Sequence, residues 1–576
     1  MKRFVLSLLL LASLTVAHGQ QLILGGELSN SAATCVEDID EVMPRMAALG
    51  LNTVLVPAYW ELMEPEEGRF DFTLIDRTIQ RAQENHLHVV FLWFGVWKNS
   101  MSCYAPLWFK QDTRRFPRAR TASGKPLEIA SAFSDQVLQA DLRAFTALMQ
   151  HIRQTDTQGT VAMMQIENEI GMLEDARDHS PLAEKAYQQG VPQRLADYLK
   201  KNKRRLHPWL QARIQDLTPG APWTSAFGTD TYTDEIFMAY HYACYVEHLA
   251  QAARQTMPQM PLYVNAAMNS RGRRPGEYPS AGPLAHLIDL WHCGAPTLDL
   301  LAPDIYDTGF KQWAAQYALW NNRLFIPESR CCQNSGVRAL YAFGEHQALG
   351  FSPFAIDQAS PQETQSITRA YALMRQLTHH PSLTTHHSSL ITHHSSLITH
   401  HSSLITHHSS LITHHSPLPT WGLLFDQEDR ERIIQDGDLV LTCRHYFTLP
   451  WDPRATDGTT WPEGGAIVVR LDRHEYLIAG SGVVVSFATS SEKEQEQQKT
   501  LGEDGFAEQG TGQHSAAAAR FRGSRIGIGS VDEVSIDADG IHRLRRHNGD
   551  QDHQGRHARI AVGDWKILHV SLYEYE

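Results

Sequence analysis

The sequence predicts an α/β protein whose larger part is a (β/α)8 barrel of the TIM type, over residues 20–377, followed by a C-terminal all-β, sandwich-like domain over residues 421–576. Three observations carry the prediction. From about residue 21 to 378, short apolar runs alternate eight times with longer segments of helical period, as repeated β/α units around a parallel sheet do. The first apolar run leads into Gly25-Gly26-Glu27, with no GxGxxG opening a helix, which argues against a doubly wound dinucleotide-binding sheet. Beyond Trp421 the runs become short and alternating and lose helical period, the pattern of sandwich strands.

The chain begins with Lys2 and Arg3, an unbroken apolar stretch from Phe4 to Leu11 that continues weakly to Ala17, and then Ala17-His18-Gly19. A basic start, a short apolar run and small residues describe a secretory signal peptide over residues 1–19. A membrane anchor requires about 20 apolar residues, more than this run supplies. The expectation is an exported protein, periplasmic or extracellular, with no membrane span.

Leu22-Ile23-Leu24 is the first expected strand, and Ile39, Val42, Met43, Met46 and Leu49 follow at helical spacing until Gly50 stops them. Thr53–Val56, Val89–Trp93 and Thr160–Ile166 supply strands two to four. Helices between them center on Ile75, Ile79 and Ala82, and on the stripe Leu138, Leu142, Phe145, Met149 and Ile152. Leu262–Ala266, Leu298–Leu301, Leu324–Ile326 and Gly350–Ile356 complete the eight.

Residues 378–420 carry six copies of a seven-residue unit, best seen in Thr392-His393-His394-Ser395-Ser396-Leu397-Ile398, which together hold 12 of the 31 histidines. The apolar pair in each copy is adjacent, without a/d spacing, so the period of seven does not make a coiled coil. A polar, low-complexity tract of this kind reads as a disordered linker, with metal sequestration by the His pairs as the rival reading. Beyond it, Asp438–Thr442, Gly465–Leu471, Tyr476–Ala479, Gly482–Phe487 and Trp565–Tyr573 read as strands. A Glu-, Gln-, Gly- and Ala-rich stretch near 490–518 reads as a disordered insertion, and Asn548–His557 as a turn rather than a cation site.

Composition bounds the partners. With 42% apolar residues the chain is not disordered as a whole, and a net charge of −13 argues against nucleic acid. The seven cysteines show no CxxC pair; an oxidising destination permits a disulfide, but the spacing names none.

The strongest local signal is Gln165-Ile166-Glu167-Asn168-Glu169-Ile170-Gly171 at the end of the fourth strand. In a barrel, side chains at the C-terminal strand ends line the mouth. Alternation puts Glu167 and Glu169 on one side and Asn168 on the other, unless the strand turns there. The second signal is Glu328, in Ile326-Pro327-Glu328-Ser329 at the end of the seventh strand. Strands four and seven lie on opposite sides of an eight-stranded barrel, so Glu169 and Glu328 can face each other across its mouth. Two facing carboxylates are what hydrolysis of a glycosidic bond requires, one protonating the departing oxygen and the other attacking or stabilising the sugar carbon.

The run Gln165–Gly171 resembles the Q-I-E-N-E-Y-G signature of glycoside hydrolase family 35, the β-galactosidases. Asn52-Thr53-Val54 through Tyr59-Trp60-Glu61-Leu62-Met63-Glu64-Pro65, with Gly68-Arg69-Phe70-Asp71-Phe72, resembles the second strand and following turn of that family, and is similar to the corresponding stretch of family 42 β-galactosidases. The resemblance covers roughly residues 21–360 and implies a retaining enzyme in which Glu169 is the acid/base, Asn168 binds the sugar 2-hydroxyl and Glu328 is the nucleophile. It also implies that Tyr306 hydrogen-bonds the nucleophile, with a packing Tyr at the barrel rim as the alternative. The part beyond Trp421 is similar to a domain of unknown function that follows such barrels in bacterial proteins.

The chain departs from the family 35 pattern in two places. Pro57 stands where that pattern has a Tyr, and Phe94-Gly95-Val96-Trp97-Lys98-Asn99 replaces a Cys-Ala-Glu-Trp-like run and has no acidic residue. Trp97, Lys98 and Asn99 are the expected sugar contacts, an aromatic platform with polar neighbours. The expected substrate is a terminal β-linked sugar of an oligo- or polysaccharide, β-galactoside first, with β-glucoside or β-arabinoside as alternatives. A non-catalytic carbohydrate-binding barrel is the reading from another class. The two-carboxylate chemistry needs no metal or organic cofactor.

Overall fold

The computed structural model describes residues 22–269, 272–379, 418–449, 451–497, 523–547, 549, 555 and 557–576. The leader read at 1–19, nearly all of the His-rich tract and most of the run 548–557 lie outside these residues.

Eight parallel strands close into a barrel: β1 (Ile23–Glu27), β2 (Thr53–Tyr59), β3 (His88–Phe94), β4 (Val161–Gln165), β5 (Leu262–Ala267), β6 (Leu300–Ile305), β7 (Phe325–Ser329) and β8 (Gly350–Pro353). Each pairs with its sequence neighbours, and β8 returns to β1 through Ile23↔Gly350 and Leu24↔Phe351. The expected order is therefore the observed one. The barrel helices are α1 (Val36–Ala48), α2 (Thr73–Glu84), α3 (Asp135–Thr155), α4 (Thr231–Thr256), α5 (Ile288–Gly294), α6 (Phe310–Tyr317), α7 (Ser335–His346) and α8 (Pro361–His379). A long excursion between β4 and α4 carries short helices, among them Pro181–Gln188 and Gln193–Asn202.

Two elements differ from the sequence expectation in ways that bear on the site. β1 does not stop at Leu24 but runs through Gly25 and Gly26 to Glu27. Glycine reads as a strand breaker, yet here the packing on both faces of the strand leaves no room for a side chain. A Cβ on Gly25 would meet Ser352 Oγ at 2.2 Å, and one on Gly26 would meet the Leu51 and Ile356 side chains at 2.7 and 2.8 Å. In α3 the most deeply buried line runs through Val137, Asp141, Phe145, Leu148 and Ile152, while Leu138 and Leu142 are only half-buried. Phe145, Met149 and Ile152 of the expected stripe are buried, and in the first half of the helix Asp141 points inward in place of Leu142.

The C-terminal domain packs two antiparallel sheets. The six-stranded sheet has the order β9 (Thr420–Phe425), β12 (Gly464–Asp472), β13 (Glu475–Ser481), β18 (Lys566–Tyr575), β15 (Arg525–Asp537), β16 (Gly540–His547). The four-stranded sheet has β10 (Glu431–Asp436), β11 (Leu439–His445), β14 (Val483–Thr489) and β17 (His557–Ile560). Alternation explains the layering: Val468, Tyr476, Ile478 and Val570 point into the sandwich core, while Ile467, Val469, Leu477, Ala479 and Ile567 join the barrel's core. Ser490–Gln497 is helical, contrary to the expectation that disorder begins at 490; the rest of that stretch, to 518, lies outside the described residues. All seven cysteines are free thiols, with Cys293 and Cys443 buried. Among the described residues no helix is long and apolar enough to cross a membrane.

Candidate active site

The C-terminal ends of β1, β4, β5, β6 and β7 bring Glu27, Asn168, Glu169, Asn265, Asp304, Tyr306 and Glu328 to one end of the barrel. β4 itself ends at Gln165, and the chain then turns, with φ of 58° at Glu167 and 47° at Glu169. Left-handed backbone at two non-glycine residues is costly and persists only where the surroundings fix it. The turn corrects the alternation argument, because Glu167 and Glu169 do not share a side. Asn168 and Glu169 both face the barrel mouth. Glu167 turns away and its carboxyl accepts from the Trp97 and Val96 amides at 2.7 and 3.3 Å. Beside it, Asp141 accepts from Trp93 Nε1 at 2.9 Å and from the Tyr245 hydroxyl at 2.8 Å. Burial first, then the Asp141 charge, holds the Glu167 carboxyl well above the ordinary range.

Glu328 is held by donors on both oxygens. Oε1 accepts from Asn168 Nδ2 and Asn265 Nδ2, each at 3.2 Å, and Oε2 accepts from the Tyr306 hydroxyl at 2.8 Å. One carboxylate oxygen each from Glu169, Asp304 and Glu328 lie within 4.8 Å of one another. Desolvation and the neighbouring Glu328 charge raise the Glu169 carboxyl to about 7, against the partial opposition of Lys98.

Lys98 lies 4% exposed among these acids. Its Nζ donates to Asn168 Oδ1 and to Asn99 Oδ1, both at 2.8 Å. Burial works against the ammonium, but Glu328, Glu169, Glu27 and Asp304 more than offset it and raise its pKa. Lys98 to Met101 form a tight turn with Asn99 and Ser100 both left-handed (φ 51° and 57°), and Asn99 is exposed at its tip. Of the three expected sugar contacts, Lys98 and Asn99 therefore stand at the mouth. Trp97 does not. Its ring is 0% exposed and packs edge-on against Tyr242 and Tyr245 of α4, with centroids 5.5 and 4.9 Å away. It is a core residue behind the site and offers no face to a sugar. Alternation along the extended chain after β3 turns Lys98 inward and so sends Trp97 the other way.

Three polar residues at the mouth were not singled out from the sequence. Asn265 in β5 accepts from the Glu169 backbone N–H through Oδ1 at 2.9 Å and donates to both Asp304 Oδ2 (2.7 Å) and Glu328 Oε1. Asp304 is paired in register with Glu328 across β6 and β7. Glu27 is fully buried beside the Glu328 carboxyl, and neither of its oxygens receives a hydrogen bond from a donor group among the described residues. Burial and the Glu328 charge raise Glu27 well above the ordinary range. A polar residue near the C-terminal end of an apolar strand was the available signal, the same one that singled out Glu328.

Residues 32–237 match the glycoside hydrolase family 42 model, described as beta-galactosidase, and residues 398–559 match a domain of unknown function, DUF5597. Of the two families that the sequence resembles, family 42 is the one matched. No curated protein matches the chain. Among solved structures, the chain is similar to a beta-galactosidase from the psychrophilic Marinomonas ef1, at 14% identity and a TM-score of 0.44, over 62% of this chain and 60% of that one. It is similar to a beta-galactosidase from the Antarctic haloarchaeon Halorubrum lacusprofundi at 15% identity and 0.41, over 61% and 58%. A third, from Bacillus circulans sp. alkalophilus, stands at 14% and 0.44, over 62% and 56%. The chain thus spans less than two thirds of the length of these three structures.

Proposed function

We propose that this chain is an exported retaining β-glycosidase, acting first on terminal β-galactosides of oligo- or polysaccharides. The observation that carries the reading is the Glu169–Glu328 pair, whose nearest oxygens lie within 4.8 Å at the barrel mouth. Retaining enzymes need carboxyl groups about 5–5.5 Å apart, and inverting ones about 6.5–9.5 Å to seat a water between them. The separation supports retention. The unequal environments of the two acids support the division of roles.

Glu328, held by Asn168, Asn265 and Tyr306, attacks the anomeric carbon while Glu169 gives its proton to the leaving oxygen. Esterification of Glu328 removes its negative charge, so Glu169 becomes a better acid than before and rests as the carboxylate. It then takes a proton from water, which cleaves the glycosyl ester with net retention. Asn168, positioned by Lys98, is the group that meets the sugar 2-hydroxyl, and Asn99 is a second polar contact at the rim. The family 42 match supports galactose, and the departures after β3 keep β-glucoside and β-arabinoside as the alternative glycones. The basic, apolar and small-residue leader is what supports export.

The test is a panel of aryl β-glycosides offered to the full-length protein, with the product anomer read by NMR. The expected result is hydrolysis with a β-anomer as first product, a kcat loss of at least about 10³-fold in Glu328→Gln, and a loss for Glu169→Gln that grows as the leaving group becomes more basic. An α-anomer as first product, or Glu328→Gln working near the parent rate, overturns the assignment.

A further inference from the structure

The hydrogen bonds around Asp304 are unequal. Oδ2 accepts from Asn265 Nδ2 at 2.7 Å, while Oδ1 is buried and receives no hydrogen bond from any described residue. The residue is 1% exposed, and one of its oxygens lies within 4.8 Å of oxygens of both Glu169 and Glu328. An ionised carboxylate with an undonated oxygen, buried beside two other acids, is the costliest state this group can take. A protonated oxygen needs an acceptor instead of a donor, and the Glu169 carboxyl is within the same cluster.

The charge balance points the same way. Facing Asp304 are Glu27 from β1, Lys98 from the turn after β3, Glu169 from the segment after β4, Tyr263 from β5, Glu328 and Tyr306 from β7 and the end of β6, and Tyr317 from α6. Lys98 is the single cation in that set, against four carboxyl groups. Asn265 ties three of the acids together but brings no charge, since its amide donates to Asp304 and Glu328 and its oxygen is taken by the Glu169 backbone N–H.

We propose that Asp304 is a positioning residue which stays protonated and donates its hydrogen bond to the Glu169 carboxyl, stabilising Glu169 as a carboxylate in the half-reaction where it acts as base. The inference deepens the glycosidase reading and rests on it. Burial first, then the charges of Glu328, Glu169 and Glu27, holds the Asp304 carboxyl well above its ordinary range, in keeping with a proton retained there. No bond forms or breaks at Asp304. The proton that Glu169 gives to the leaving oxygen is replaced by one from the attacking water, and the Asp304 proton remains in place throughout.

The test uses the full-length protein and its Asp304→Asn and Asp304→Ala variants, with kcat/KM followed against pH on one aryl β-glycoside. Asparagine can donate to Glu169 as a protonated aspartic acid does, and alanine cannot. The expected result is a basic limb in Asp304→Asn within about 0.3 pH unit of the parent, and a limb moved upward by about one unit in Asp304→Ala, with kcat down about 10²-fold at the water-attack step. A basic limb moved downward in Asp304→Asn means that an ionised Asp304 had been holding the proton on Glu169, and overturns the proposal. So does Asp304→Ala with a parental profile. Infrared difference spectra of parent minus Asp304→Asn at neutral pH read the same proton without turnover. Loss of one protonated-carboxyl carbonyl band supports the proposal, and loss of an ionised-carboxylate band sinks it. If the parent cleaves no glycoside, the glycosidase reading fails by itself, while the infrared result still decides the protonation of Asp304.

Discussion

Glu169 is the residue at which local chemistry and global stability meet. Its carboxyl sits at about 7 because burial and the Glu328 charge favour the neutral form. The folded protein therefore keeps a proton that the unfolded chain releases from about pH 4.5 upward. Stability contributed by that proton is present at low pH, falls as pH rises from the unfolded value toward 7, and is absent above it. Glu169→Gln removes the titration. Between pH 5 and pH 8 the parent is expected to lose up to about 3 kcal/mol more than the variant, at 1.36 kcal/mol per pKa unit. Thermal melts of both proteins at the two pH values check this, and equal pH dependence of the two would contradict it. The same melts separate catalytic loss from folding loss, since the variant is expected to be impaired most on basic leaving groups and yet the more stable of the pair above neutrality.

At the scale of elements, the segment after β3 decides which side chains reach the barrel mouth. It runs in contact with the turn after β4, through Asn168 N–H to the Trp97 carbonyl at 3.2 Å and the two amides that bind Glu167. Trp97 is a wedge between this segment and α4, so Trp97→Phe is expected to lower the melting temperature, by about 1–3 kcal/mol of stability, while KM changes less than twofold. A sugar platform would give the reverse, a tenfold rise in KM with stability kept. Sequence spacing placed an aromatic and two polar residues together correctly but could not say which way each pointed. The direction follows from where Glu167 takes the backbone amides, a contact between residues about 70 positions apart.

At the scale of the molecule, the barrel and the sandwich share one apolar interface, in which α7 and α8 lie on the outer face of the six-stranded sheet. α7 follows directly from β7, the strand that carries Glu328, so the same helix that closes the seventh β/α unit anchors the second domain. Arg338 on α7 makes a two-point pair with Glu463 at 2.6 and 2.7 Å, and Arg432 pairs with Glu345 at 2.6 Å. The close approach is set by glycine. A Cβ on Gly422 would meet the Tyr341 carbonyl and the Glu345 N–H nitrogen of α7, each at 2.6 Å. Both are backbone atoms that cannot turn aside. Gly422→Val is expected to cost about 1–3 kcal/mol through overpacking, read as a lowered melting temperature with kcat/KM near the parent. An unchanged melting temperature would mean that the two domains do not depend on this contact.

The barrel, its eight strands and the two glutamates were legible in the sequence because each rests on a local pattern. Apolar period fixes strand or helix, and a carboxylate at the C-terminal end of an apolar strand is hard to place anywhere but the mouth. The sandwich was legible for the same reason, its alternation being strict where one face meets each core. What the tertiary structure alone decided is the company those glutamates keep. Glu27 was obscured because Gly25-Gly26 looks like the end of a strand until the packing against Ser352 and Ile356 is seen. Asn265 and Asp304 lie 96 and 135 positions along the chain from Glu169, and only closure of the barrel sets them beside it. A linear pattern carries burial and period, whereas the proton state of an acid depends on the charges and donors within a few ångströms, and those are assembled from remote strands.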